Sequence, residues 1–420
     1  MNPNQSIALR YGRGSLTFTV AGNADLLEIN DPPRTVHQAA FLNGLKRLLP
    51  PVLPTDNIAI VVADKTRLCG YPQVLPWVTA ALLDHGVPWN QITFFIAYGT
   101  HARQSEEESL AAYGPIYHEY PFIHHTSTAP TRFIELGRTS RGTPVRIRAD
   151  LLTADLIITI GAISHHYFAG FGGGRKLLFP GLGEQQAIYA NHRLFLDSTR
   201  QALAPGCRPG QLINNPLAED LAEIEAMLPP YLAIHGLLDS HGEVAAYRFG
   251  ASPADFLAVC REHDALYRAA SDRQYALVLA SAGGFPKDIN LIQAHKALEN
   301  AAAFVRTNGT LIMLAECTDG IGSSTFLPYF EMGGRQAAFA HLAQQYSGNG
   351  GTALAMMAKT ERIRIAMVTT LDPLVCRRIG INAINAEEAA RFGNTSQKTA
   401  IITNASMLIR GESVGRNATS

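Results

Sequence analysis

"DLIITIGAISHHYFAGFGGGRKLLFPG", residues 155–181, decides how this chain is read. Its first nine residues are almost all apolar and rich in isoleucine, the composition of a strand buried on both faces of a parallel sheet. The strand runs into a loop that holds His165, His166, Arg175 and Lys176. Gly170, Gly172, Gly173 and Gly174 let that loop take unusual backbone angles and approach a ligand closely. In open parallel sheets ligands collect outside the carboxyl ends of the strands, where this loop lies. The spacing fits neither standard nucleotide loop. A Walker loop needs Ser or Thr after its lysine, but Leu177 follows Lys176, and "GFGGGRK" lacks the third glycine of the dinucleotide pattern. Lys176 therefore reads either as a phosphate clamp or as a covalent attachment point. Tyr167, Phe168 and Phe171 argue against a plain surface turn, which would expose them for no gain.

The same strand-then-loop style recurs along the chain. "IAIVVAD" (58–64) runs into "KTRLCG", and "ITFFIAYG" (92–99) into "THARQSEEE". "YALVLASAGG" (275–284), "GTLIMLAECTDG" (309–320) and "RIRIAMVTTL" (362–371) repeat it. Between them lie helical patterns. Residues 71–86 end at a glycine stop, 105–114 open with a Ser105–Glu108 capping box, and 289–305 carry apolar residues at helical spacing. Alternating strands and helices predict an α/β fold: two domains, each with a mostly parallel sheet flanked by helices, and the active site in the cleft between them. The polar stretch near residue 270 suggests a boundary there, giving domains 1–270 and 271–420. The final residues, "GESVGRNATS", read as frayed or as packing back on the first domain.

Bulk properties narrow the class. With 420 residues, two domains are expected; 47% hydrophobic and 17% charged residues describe a globular chain. Lys plus Arg equals Asp plus Glu at 35 each, so no global field draws nucleic acid. No apolar run reaches the roughly 18–20 residues a bilayer requires, and the N-terminus lacks a secretory pattern. Five scattered cysteines with no C-x-x-C pair point away from disulfides and zinc ribbons and toward a reducing, cytoplasmic setting.

The other strand-end loops supply further candidates. In "DKTR" (64–67), Asp64 orients a hydroxyl or fixes the loop, and Arg67 offers a planar fork to a carboxylate or phosphate. In "GTH" (99–101), His101 is a general base or a backbone-bonded loop histidine. The pair His124–His125, with no glycine loop after it, shows that two adjacent histidines alone carry little weight. His192 in "NHRLF" could ligate a metal, but one histidine does not hold an ion tightly. Gln293 and Lys296 share a helix face and could grip a carboxylate, or could simply be solvated.

In this order, "DKTR", "GTH", "HHYFAGFGGGRKLLFPG", "NH" and "QAHK" resemble the nickel-dependent lactate racemase family, from about residue 58 to 300. The resemblance implies a nickel-pincer nucleotide bound covalently at Lys176, with His192 as the protein's nickel ligand and the cofactor supplying the other donors. It implies His101 and His166 as the catalytic histidines. Arg67, Gln293 and Lys296 would hold the substrate, chiefly its carboxylate. Asp64, Gly173, Gly174 and Pro180 would line or support the cofactor. The implied reaction inverts C2 of a 2-hydroxyacid by proton-coupled hydride transfer through a 2-ketoacid, which avoids a carbanion beside a carboxylate. Arg67 and Lys296 belong to different domains, so closure would complete the site. The implied partners are a small 2-hydroxyacid and the enzymes that build the cofactor. One departure is Ala102 where relatives carry arginine, with Arg103 following. Two other classes compete. One is a metal-dependent hydrolase built on His165, His166 and His192; the other is a non-catalytic anion sensor, which would have lost a base.

Overall fold

The computed structural model describes residues 5–20, 24–51, 53, 55–128, 132–393 and 398–411. The terminal stretch expected to fray lies, beyond Gly411, outside the described residues. The chain forms two compact units, Asp31–Phe195 with Ala204–Asp264, and Met1–Asn30 with Leu196–Leu203 and Ala265–Ser420.

The first unit is built on a six-stranded sheet. Its spatial order is Val244–Gly250, Leu232–Leu238, Leu156–Ala162, Ile58–Ala63, Ile92–Ala97 and Phe122–His124. All neighbours are parallel except the edge strand Val244–Gly250. Strands Ile58–Ala63 and Leu232–Leu238 are buried at every residue, the first as its unbroken apolar composition predicts and the second despite His235 within it. Ile58–Ala63 leads to strands on one side of the sheet, whereas Leu156–Ala162 leads to strands on the other. Their carboxyl ends therefore diverge, and a crevice opens at this switch in strand order.

Diverging strands leave backbone groups without ladder partners, and such groups are costly when buried. Two tyrosines solve this. The Ala63 N–H donates to the Tyr71 hydroxyl at 2.7 Å, and that hydroxyl donates to the Ile160 carbonyl at 2.9 Å. The Tyr113 hydroxyl donates to the Ala63 carbonyl at 2.9 Å. Tyr71 opens the helix Tyr71–Asp84, and Tyr113 closes the helix Glu106–Tyr113. The latter helix carries the expected capping box, with the Glu108 N–H donating to Ser105 Oγ and the Ser105 N–H to the Glu108 carboxylate.

The second unit holds a six-stranded, all-parallel sheet. Its order is Ile381–Ile384, Arg364–Val368, Val305–Leu314, Tyr275–Ser281, Thr399–Ile402 and Asp25–Leu27. Helices Leu291–Ala303 and Gly350–Arg362 contribute to one apolar cluster with this sheet. A second cluster joins Leu277, Leu279, Ile312 and Leu314 to Ile7, Leu9, Phe18 and Val20 of the N-terminal hairpin Gln5–Tyr11/Gly14–Val20. The chain thus passes between units several times rather than once near residue 270. An isolated hairpin with one apolar face must cover a sheet, and this one covers the later sheet. Among the described residues no helix is long and apolar enough to cross a membrane.

Two outcomes test this account. Tyr71→Phe strands the Ala63 N–H and the Ile160 carbonyl, and should cost about 1–3 kcal/mol for each group left unpaired, read as a lower urea midpoint. An unchanged midpoint would show that the bridge is dispensable. Second, burial pushes the rings of His125 and His235 down to about 4, and those of His263 and His295 well below their usual value. Unfolded histidines take up protons near pH 6.5, so between there and about pH 4 the unfolded chain binds more protons. Stability should therefore fall as pH drops through that window. Urea unfolding at pH 7 and pH 5 checks this, and an equal or higher midpoint at pH 5 would refute it.

Candidate functional site

Asp64 follows the strand end held by the two tyrosines and is 2% exposed. Its Oδ1 accepts from the Thr66 N–H at 2.8 Å and from Thr66 Oγ1 at 2.5 Å. Its Oδ2 lies 2.6 Å from His101 Nδ1 and 3.7 Å from the Arg67 guanidinium. Burial alone would raise this carboxyl; His101, Arg67 and Thr66 more than reverse that and hold it well below the usual carboxylate range. His101 sits on the loop after the neighbouring strand Ile92–Ala97, which the Gly99 N–H ties to the Gly181 carbonyl at 2.8 Å. Arg67 Nη1 is also 3.3 Å from His101 Nδ1. Thus "DKTR" and "GTH" meet because their strands are adjacent and parallel.

The opening loop folds as a small hairpin, Ser164–His166 against Gly170–Gly172, followed by a short 3₁₀ turn, Gly174–Leu177. Gly173 has φ +78°, and a Cβ there would stand 2.4 Å from the Ala162 carbonyl oxygen. Only glycine lets the turn fold back onto its own strand. His166 is buried, and its Nδ1 accepts from the Ala169 N–H at 3.3 Å.

Phe168 is the hub of the site. Its ring centroid lies 4.4 Å from that of His166, 5.0 Å from that of His192 and 5.3 Å from that of Phe195, and 5.5 Å from Lys176 Nζ. The Phe168 carbonyl accepts from Asn215 Nδ2 at 2.9 Å. Asn215 in turn caps the helix Pro216–Met227 through the Ala218 N–H. The helix Gln185–Arg193 brings in His192 near its last turn.

The electrostatics are unusual. Lys176 keeps part of its surface accessible, yet the protein packed around its amine pushes the pKa well below the lysine value, with Arg67 and Arg175 adding repulsion. Burial, then the neighbouring Lys176 and His101, push the His192 ring down to about 3. An uncharged amine is a nucleophile and an uncharged imidazole is a ligand. Arg175 is committed elsewhere: it pairs with Glu225 at 3.3 Å and donates to the Ala218 carbonyl at 2.9 Å.

The remaining candidates divide clearly. Gln293 and Lys296 lie in the other unit, on the helix Leu291–Ala303, where Lys296 Nζ donates to Gln293 Oε1 at 2.5 Å. Pro180 follows Phe179 through a cis peptide bond. Arg103 is exposed and pairs with Glu106 at 3.6 Å. His124 lies between two tyrosine hydroxyls, Tyr98 and Tyr117, each at 2.9 Å, and His125 faces the Gly183 carbonyl at 3.1 Å. That pair is structural. His165 turns from the loop to Asp264, with Nε2 to Oδ1 at 2.9 Å. Among the described residues no three His, Cys, Asp or Glu side chains group to hold a metal. The donor set for a histidine-cluster hydrolase is therefore not assembled, and a metal at His192 would need donors that these residues do not supply. Phe168, Tyr71 and Asn215 are the contributors that sequence reasoning did not single out as site residues. Phe168 enters there only as a sign that the loop is packed rather than exposed, and Tyr71 and Asn215 carry no signal of their own.

Residues 27–204 match the family model of the lactate racemase N-terminal domain, and residues 270–352 that of the lactate racemase C-terminal domain. The lactate racemase of Thermoanaerobacterium thermosaccharolyticum is 27% identical over 338 residues, 78% of each chain. That of Lactiplantibacillus plantarum is 29% identical over 275 residues, 64% of this chain and 62% of that one. The structure of the lactate racemase apoprotein from T. thermosaccharolyticum shares the fold at a TM-score of 0.84, with 23% identity, over 97% of this chain and all of that one. A Thermotoga maritima protein shares it at 0.70 and 15% identity, over 91% and 99%. Matched by both domain models over more than half of its length, the chain belongs to the lactate racemase family.

Proposed function

We propose that this protein is a 2-hydroxyacid racemase or epimerase that works with a nickel-pincer nucleotide, with lactate as the reference substrate. The observation that carries this reading is the packing of Lys176 Nζ and the His192 ring against Phe168, 5.5 Å and 5.0 Å from its centroid, where burial drives both toward their uncharged forms. Lys176 would form the covalent link and His192 would ligate the nickel. The bound group would supply a hydride acceptor and donor for C2. A site whose own residues furnish one imidazole for a metal fits a cofactor that brings the remaining donors.

The chain's residues have the following tasks. His101 and His166 exchange the hydroxyl proton with substrate, one for each configuration at C2. Asp64 orients His101 and stabilises it when it gains that proton. Arg67 offers its cation to the substrate carboxylate. The Lys296 ammonium and the Gln293 amide, already joined to one another, form a donor face of the kind a carboxylate needs. Phe168, Tyr167 and Phe195 form an apolar wall that excludes water and strengthens each charge interaction beside it. The presence of both histidines favours an enzyme over an anion sensor. The cofactor's biosynthesis enzymes are the partners this reading requires.

Two experiments test it. Protein produced beside those enzymes should show, by intact mass, an adduct that maps to Lys176, and nickel by elemental analysis. Lys176→Ala should lose adduct and racemisation together; full activity without the lysine would end the reading. In the loaded enzyme, His101→Ala and His166→Ala should each slow racemisation of single-enantiomer lactate by about 10²–10⁴-fold. Normal rates in both variants would remove the two-histidine scheme.

A further inference from the structure

The two site histidines are held by opposite kinds of partner. His101 Nδ1 faces a carboxylate oxygen, which only accepts a hydrogen bond. His166 Nδ1 faces the Ala169 backbone N–H, which only donates. A neutral imidazole carries one proton, and the partner of one nitrogen sets which nitrogen bears it.

For His101 the answer depends on which of two neighbours wins at Nδ1. Asp64 Oδ2 lies at 2.6 Å and Arg67 Nη1 at 3.3 Å. The first is a short, charge-assisted contact to a buried carboxylate; the second is longer, and its donor also sits 3.1 Å from Thr66 Oγ1. The carboxylate therefore keeps the proton on Nδ1, which puts the ring's lone pair on Nε2. For His166 the local turn decides. Ser164–His166 and Gly170–Gly172 pair in register, with His166 opposite Gly170, so the Ala169 N–H points back at the ring that opens the turn. Gly170 holds the turn at φ +75°, and a Cβ there would stand 2.3 Å from the Gln211 carbonyl oxygen. A proton on His166 Nδ1 would meet that N–H head on, so it resides on Nε2.

We infer that, in their neutral forms, the two site histidines take opposite tautomers: His101 with Nδ1–H and a basic Nε2, set by Asp64, and His166 with Nε2–H, set by the Ala169 amide. Asp64 is thus a positioning residue for His101. The functional meaning rests on the racemase reading. On that reading, a substrate hydroxyl brought to His101 Nε2 would meet a lone pair, and one brought to His166 Nε2 would meet an N–H, so that ring would have to shift its proton before accepting one. The two halves of a formally symmetric reaction begin from different proton arrangements.

The test needs neither cofactor nor turnover. The apoprotein, labelled with ¹⁵N in its histidine rings, is studied by long-range ¹H–¹⁵N NMR at pH 8, above the ordinary histidine titration. Signals are assigned by their loss in His101→Asn and His166→Asn. His101 should show a protonated-type Nδ1 and a lone-pair-type Nε2, and His166 the reverse. Asp64→Ala should release His101 from that pattern and leave His166 unchanged. The same tautomer at both rings in the wild-type protein would overturn the inference. A His101 pattern unchanged in folded Asp64→Ala protein would overturn the role of Asp64. If that variant does not fold, the wild-type spectrum still decides the tautomers. Failure of racemisation in the loaded enzyme would count against the racemase reading and leave the tautomer result standing.

Discussion

The site depends on one hydroxyl group. Tyr71 closes the gap where two central strands of the first unit stop pairing, accepting from Ala63 and donating to Ile160. A parallel sheet that sends consecutive strands to opposite sides must open a crevice, and the crevice must leave backbone groups without ladder partners. Side-chain hydroxyls satisfy those groups without filling the opening. Asp64 is the next residue after Ala63, so the bridge that repairs the sheet also fixes the carboxylate on which His101 and Arg67 converge.

Around that crevice the same low-dielectric surroundings have opposite effects on neighbouring groups. Asp64 is buried with cationic and hydroxyl partners, and it stays ionised. Lys176 is packed in with two arginines for neighbours, and it is driven toward the neutral amine. His192 is driven the same way by burial and by Lys176. A group paired with its opposite charge keeps its ion, and a group surrounded by its own sign gives it up. A loop amine and a helix imidazole thus lie beside one aromatic ring, each driven toward its uncharged form.

Much of this was legible in the sequence. Unbroken apolar runs such as "IAIVVAD" and "LIITIGAI" read as central strands because burial on both faces leaves no room for alternation. The loops after them read as functional because that edge of a parallel sheet is where ligands bind. The capping box at Ser105 and the strand after residue 274 were equally plain. The N-terminal hairpin was not. Its alternation says that one face is buried, but local pattern carries no information about which sheet will cover it. The histidine pairs show the same limit. His124–His125 and His165–His166 look alike on paper, and only their surroundings separate two tyrosine hydroxyls from a turn amide and an aspartate.

The sequence alone therefore determined the elements, their class and the order in which chemically able residues follow the strands. Those properties are written in short-range composition and periodicity. Tertiary structure decided which of those residues meet and in what state. That Asp64 faces His101 across 37 positions, that Phe168 gathers Lys176, His166 and His192, and that Tyr71 spans two strand ends all depend on strand order. Protonation depends on it further still. It is set by the sum of burial and neighbouring charge at one point in space, which no stretch of chain contains by itself.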